Sequence, residues 1–253
     1  MRRSLLVAAS ALIALSSAAF APAPPPVQEA SSYAAALADP VRTAGDRARD
    51  AARHTAETLA FAQVAPGQKV ADMIMGGGYF TRVFSAAVGP DGQVTAWQPE
   101  EFVAFEAGYG QAVTDADALA NVDGVRSPLG APEFPTGLDL VFTAQNYHDL
   151  HLAPFPADTA SRVNTAVFRA LKPGGLYVIV DHHAAAGSGL AAADTLHRID
   201  IEAVKREVTA AGFVLDGESA MLASPADPLT ASVFDPSIRG KTSQFMLRFR
   251  KPA

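Results

Sequence analysis

Histidine is the side chain whose charge changes nearest neutral pH, and a neighbouring carboxylate fixes its tautomer and raises its basicity. The chain of 253 residues has six histidines, five of them between positions 148 and 197. Asn146-Tyr147-His148-Asp149-Leu150-His151 and Asp181-His182-His183 each set imidazole beside carboxylate, and His197-Arg198 follows. Such groups can move a proton, with His148 or His182 as base and Asp149 or Asp181 as the orienting carboxylate. Imidazole and carboxylate together also suit zinc, iron or manganese, although no HExxH or comparable spacing specifies a metal site here. A second kind of chemistry lies upstream. The apolar run Val70 to Met75 carries Asp72 and gives way to Gly76-Gly77-Gly78, after which a helix is expected from Tyr79. Strand, glycine turn and helix together aim bare backbone N–H groups at a ligand.

Those residues need a scaffold. Strands are expected at Val70–Met75, Gln93–Gln98, Val122–Arg126, Leu138–Ala144, Leu176–Val180, Phe213–Ala220 and Ser243–Phe249. Helices are expected at Thr43–Gln63, Tyr79–Val88, Glu100–Ala118, Asp158–Leu171 and Asp200–Ala211, with Asp200 as a cap. This alternation implies an α/β chain with a mostly parallel sheet and helices on both faces. Ligands of such sheets bind outside the carboxyl ends of the strands. The glycine turn, Asn146–His151 and Asp181–His183 all follow strand ends, so they converge if the three strands are neighbours. The Thr43–Gln63 helix has a rough inward stripe of Ala44, Ala48, Ala51, Ala52, Thr55, Leu59 and Phe61, and is expected to cover a sheet edge. Arg47, Arg49, Asp50, Arg53 and Glu57 then decorate its outer face. Arg239 and Lys241, in a polar stretch before the last strand, can reach an anionic ligand.

The formal charge of −6 and the lack of a dense basic patch argue against nucleic acid as a partner. The N-terminus reads as a secretory signal peptide, with Arg2-Arg3, an apolar run from Leu5 to Leu15, and small residues up to Ala19. That run is short for a membrane span, and a chain without cysteine has neither a lipidation cysteine nor disulfides. The expected organisation is a signal peptide over 1–19, a Pro/Ala-rich linker over 20–40 and a domain with an N-terminal helical extension over 41–253. An exported protein, periplasmic or secreted and without a stable membrane anchor after cleavage, is expected.

From about Lys69 to Pro252 the chain resembles the class I S-adenosylmethionine-dependent methyltransferases. The likeness is carried by Asp72 with the glycine turn, Asp139-Leu140-Val141, Leu171-Lys172-Pro173-Gly174-Gly175 and Ala211-Gly212-Phe213. It resembles more closely a group of exported methyltransferase-like proteins, through Arg49-Asp50-Ala51-Ala52-Arg53, Gly76 to Tyr79, Asn146 to His151, Asp181-His182, His197 to Asp200 and Val233 to Thr242. The resemblance implies a Rossmann-like seven-stranded sheet of order 3-2-1-4-5-7-6 with the last strand antiparallel, and S-adenosyl-L-methionine as cofactor. It implies cofactor contacts from Asp72, Gly76, Gly77, Gly78, Gln98 and Asn146. With methyl transfer as the reaction, the residues themselves give His148, Asp149, Asp181 and His182 a catalytic role on a small-molecule acceptor, with Tyr79, His197, Arg198, Arg239 and Lys241 towards that substrate. Two positions depart from the pattern, and in addition no Asp sits after the third strand to meet the adenine amine. Ile74 replaces the first glycine of the turn, and Gln98 stands where a ribose-binding carboxylate is usual, with Glu100 or Glu101 as possible substitutes. The alternative is an exported ligand- or metal-binding protein or hydrolase on the same fold, using the Asp/His cluster as its site, or a catalytically silent domain.

Overall fold

Among the described residues, seven strands form one sheet: β1 (Lys69–Met73), β2 (Gln93–Pro99), β3 (Val122–Ser127), β4 (Leu138–Ala144), β5 (Leu171–His182), β6 (Val214–Ser219) and β7 (Gln244–Arg250). Their order is β3-β2-β1-β4-β5-β7-β6. The first five run parallel, and β7 is antiparallel to both β5 and β6. This is the expected topology. The computed structural model describes residues 29–253, so the signal peptide and the proline-rich part of the linker lie outside the described residues.

Side chains along a strand alternate between faces, and a sheet covered on both sides buries both sets. Along β5, Tyr177 and Ile179 join one core, while Leu176, Val178 and Val180 join the other. Among the described residues ten α-helices accompany the sheet: α1 (Ala34–Ala38), α2 (Ala44–Arg47), α3 (Asp50–Arg53), α4 (Thr55–Phe61), α5 (Tyr79–Val88), α6 (Glu100–Phe105), α7 (Ala107–Asp117), α8 (Thr159–Ala170), α9 (Ala193–Leu196) and α10 (Ile201–Ala210). Helix α5 has the expected bounds and packs Phe80 and Phe84 against Phe142 of β4.

The N-terminal part differs from expectation. Thr43 to Gln63 is three short helices, broken at His54, whose φ is 44°. Thr43 and Asp46 close a capping box on α2, while Arg42 pairs with Asp50 at the start of α3. These polar anchors win over the alanine stripe: Ala44, Ala48, Ala51 and Ala52 are exposed, whereas Asp46, Thr55, Thr58 and Leu59 are buried. The segment leans over the cleft at the strand ends, bringing Arg49 and Arg53 to it. Residues 30–38, assigned to the linker on composition, are helical, and the buried Tyr33 hydroxyl donates to Leu59 O and Val64 O at 3.2 and 2.7 Å. The expected Glu100–Ala118 helix is divided at Glu106, which leaves helical geometry and caps α7.

Candidate functional site

Two adjoining cavities open at the carboxyl ends of β1, β4 and β5, with volumes of 360 and 530 Å³. Both fall within the ~300–1,000 Å³ of small-molecule sites. The smaller is floored by the glycine loop. Gly76 N donates to Gln98 Oε1 at 2.9 Å, and Gly78 N closes the turn on Met75 O at 2.9 Å. Gly78, at φ 76°, lies directly before α5, and a Cβ there would stand 2.8 Å from Arg82 Nη1. At Gly77 a Cβ would meet nothing within 4 Å, so the backbone faces open space. Asp72 lies at the C-terminal part of β1 and lines this cavity although only 3% exposed. Thr81 Oγ1 donates to its Oδ2 at 2.6 Å, yet burial pushes the carboxyl up to about 6.

Ile74 takes the departure from the glycine pattern literally, with φ at 60°. A β-branched residue in the left-handed region is strained. Gln145 (φ 65°) and His197 (φ 53°) share that region and line the same cavity. Such strain persists where the surroundings over-determine it, and it gathers at functional sites.

The Asp/His cluster is assembled across β4 and β5. Asp181, at the end of β5 and 0% exposed, accepts from His148 N at 2.7 Å and from His182 N at 2.7 Å. Its Oδ1 also meets His148 Nδ1 at 2.8 Å. The opposite nitrogen, His148 Nε2, lies 3.1 Å from Asp149 Oδ1 and 3.3 Å from His197 Nδ1. Asn146 Nδ2 donates to Asp149 Oδ2 at 3.1 Å. Burial opposes a charge on His148, but the flanking Asp181 and Asp149 hold its proton and raise it to about 10. Asp149 sits well below the carboxylate range, because bonds from His148 and His197 outweigh its burial. His182 is set differently. Its Nδ1 meets Thr242 Oγ1 at 2.9 Å, it lines both cavities, and burial draws it down to about 4.

Several of the expected site residues reach the cleft. Asp72, Gly76, Gly77, Asn146, His148, Asp149, His182 and His197 line one or both cavities, and Arg239 lines the larger. Others do not. Arg198 is fully buried, donating to both oxygens of Asp227 at 2.9 Å and to the carbonyls of His183 and Ala231. It pins the 220–243 segment to the end of β5 rather than meeting a substrate. Lys241 is exposed and lines neither cavity. Tyr79 contributes its ring to the wall, while its hydroxyl is held by Asp50 and Thr55, each at 2.6 Å. Gln98 is buried beneath the glycine loop, and its Nε2 has no partner among the described residues. Neither proposed substitute for a ribose carboxylate lines the cavities: Glu100 is exposed, and Glu101 Oε2 accepts from Leu129 N at 2.9 Å.

Arg49 and Arg53, expected on the outer face of the first helix, face the cleft instead. Arg53 lies 4.6 Å over the Tyr79 ring and makes no ion pair among the described residues. Arg49 lies 4.7 Å over the same ring and pairs with Asp46 at 3.1 Å. Both line both cavities. Their four-residue spacing, which places side chains on one helical side, was the available signal.

No protein-family model matches the chain. An uncharacterised methyltransferase of Synechocystis sp. is 32% identical over 126 residues, which are 47% of this chain and 50% of that protein. The chain thus spans about half the length of that curated relative. Among solved structures, a SAM dependent methyltransferase from Aquifex aeolicus aligns with a TM-score of 0.55 at 18% identity, over 88% of this chain and 98% of that one. The N-methyltransferase NodS from Bradyrhizobium japonicum WM9 gives 0.55 at 15%, over 82% and 99%. The fold is that of the class I S-adenosylmethionine-dependent methyltransferases.

Proposed function

We propose that this chain transfers a methyl group from S-adenosylmethionine to a small-molecule acceptor. The observation that carries the reading is the buried Asp72 carboxylate beside the bare Gly76-Gly77 backbone, both facing one cavity on this fold. The residues present fit the amino-acid end of the cofactor. Asp72 would take the ammonium group, the glycine loop would accept close approach, and Arg53, free of a carboxylate partner among the described residues, would take the carboxylate. The adenosine end would rest on other contacts than the usual acid, because the Gln98 carbonyl is spent on Gly76 N.

When bound, the cofactor would supply an electrophilic methyl group on a sulfonium, open to in-line attack by an acceptor, with the neutral thioether of S-adenosylhomocysteine as the leaving group. The protein's part is then largely positioning. His182 stands where the two cavities meet, its Nδ1 engaged by Thr242 and its ring neutral at pH 7 because burial lowers it to about 4. It would receive a proton from an acceptor that must lose one. His148 is less suited to that task, since Asp181 and Asp149 already hold a proton on it.

The test is a thermal shift on the purified chain. A ligand at about 100 times its Kd adds ~2.7 kcal/mol, worth ~5–10 °C for a domain of this size. A rise of that order with S-adenosylmethionine or S-adenosylhomocysteine is expected, and no rise with either at millimolar concentration would sink the proposal. The reading includes export, motivated by the N-terminal sequence. Fusing residues 1–30 to a reporter active only after export should yield activity, and a silent fusion that is well expressed would refute it.

A further inference from the structure

We infer that His148, Asp149 and His197 form a site for one divalent transition-metal ion of the zinc or iron class. His148 Nε2, Asp149 Oδ1 and His197 Nδ1 are separated by 3.1, 3.3 and 3.6 Å. Atoms bound ~2.1 Å from a common ion lie ~3.0 Å apart at right angles and ~3.4 Å apart at the tetrahedral angle. The circle through these three atoms has a radius of ~1.9 Å, inside that bond length, so a point just off their plane reaches all three. Two imidazoles and one carboxylate are a donor set for Zn(II) or Fe(II) rather than for Mg(II) or Ca(II).

Independent support comes from what stands behind the three atoms. Metal-binding imidazoles commonly give their other nitrogen to a carboxylate, which fixes ring and tautomer. Asp181 does this for His148, meeting Nδ1 at 2.8 Å and leaving Nε2 to face its two companions. Asn146 holds the second oxygen of Asp149. His197 presents Nδ1 from a strained left-handed backbone position, and its ring packs edge-on against Phe234 at 4.8 Å. His148 and Asp149 are buried, His197 is half-buried, and all three line the smaller cavity. The remaining coordination positions therefore open towards the cleft, where water or an oxygen of a bound molecule completes the shell. His148 and Asp149 follow β4 and His197 follows α9, 49 positions after His148, which is why no spacing motif announces them.

The experiment is calorimetric titration of the chelator-treated full chain with zinc chloride, without any methyl donor, backed by metal analysis after gel filtration. One ion per chain, bound at micromolar Kd or tighter, is expected. His197→Ala, at a half-buried position, and Asp149→Asn should each weaken binding at least tenfold. His151→Ala, outside the cluster, should leave it unchanged. With Co(II) as probe, visible absorption of a four- or five-coordinate ion should appear in the wild type and be lost in His197→Ala. No ion retained by a folded wild type, or equal binding by both cluster variants, would overturn the inference. Neither outcome bears on S-adenosylmethionine binding, which the thermal shift reads separately.

Discussion

At the scale of single residues, Ile74 is where the chain pays most visibly for its cleft. Its φ of 60° costs ~1–3 kcal/mol in a β-branched residue, and its side chain, 4% exposed in the core, returns ~1.5–3 kcal/mol by burial. The two nearly cancel, so an isoleucine survives at a glycine position. Truncation separates them. Ile74→Ala and Ile74→Gly should both be less stable than the wild type, by ~2–5 kcal/mol, because both empty the core. The glycine variant should nevertheless be the more stable of the two by ~1 kcal/mol, since only glycine relaxes at positive φ. In an ordinary strand the order is the reverse. Chemical denaturation of the two variants decides it, and an alanine variant at least as stable as the glycine one would show that the turn holds no strain. The departure at Ile74 was legible in the sequence. The cleft position of Arg53 was not, because alanines at helical spacing suggested an apolar face inward, and only the Thr43–Asp46 cap and the Arg42–Asp50 pair turn that face out.

At the scale of elements, the strands were legible because a doubly covered sheet writes itself as short unbroken apolar runs. Leu138–Ala144 and Tyr79–Val88 have the expected bounds, and the expected convergence of the β1, β4 and β5 ends follows from their adjacency in the sheet. What joins elements was less legible. Arg198 and Asp227 sit in irregular segments with no periodicity to mark them, and their pairing is a long-range choice. It sets the position of the segment carrying Val233 and Phe234, which close both cavities. Arg198 thus acts on the site through a wall rather than by touching its contents. His197, the preceding residue, faces the cavity because its left-handed backbone turns the chain after α9. Two adjacent residues of similar promise thereby acquire opposite duties.

At the scale of the whole molecule, pH separates what holds the fold from what the cleft costs. Asp46, Asp50, Asp216 and Asp227 are each held by arginine: Arg82 and Arg49, Arg42, Arg248 with Arg250, and Arg198. Burial alone would raise these carboxyls, but the guanidinium bonds outweigh it and leave all four below their ordinary value. Their stabilisation is present above the unfolded value of ~3.9 and is lost as pH falls below it. Asp72 has the opposite sign. Its folded value of about 6 lies above the unfolded one, so between pH ~4 and 6 the folded chain keeps a proton that the unfolded chain has released. Stability from this group declines as pH rises through that window and is level above it, a change of ~3 kcal/mol for about two units. Asp72→Asn removes the titration while keeping an acceptor for Thr81. Subtracting its stability curve from that of the wild type should leave a fall between pH 4 and 6, with both proteins losing stability in acid below pH 4. A flat difference would mean that the Asp72 carboxyl titrates alike in the folded and unfolded chain, so that its charge costs nothing on burial. The same subtraction bears on the cleft, because an ammonium group bound beside Asp72 offsets the cost of its charge. Saturating S-adenosylmethionine should therefore flatten the fall in the wild type, and a fall left intact by a bound ligand would place that ligand's amino group elsewhere.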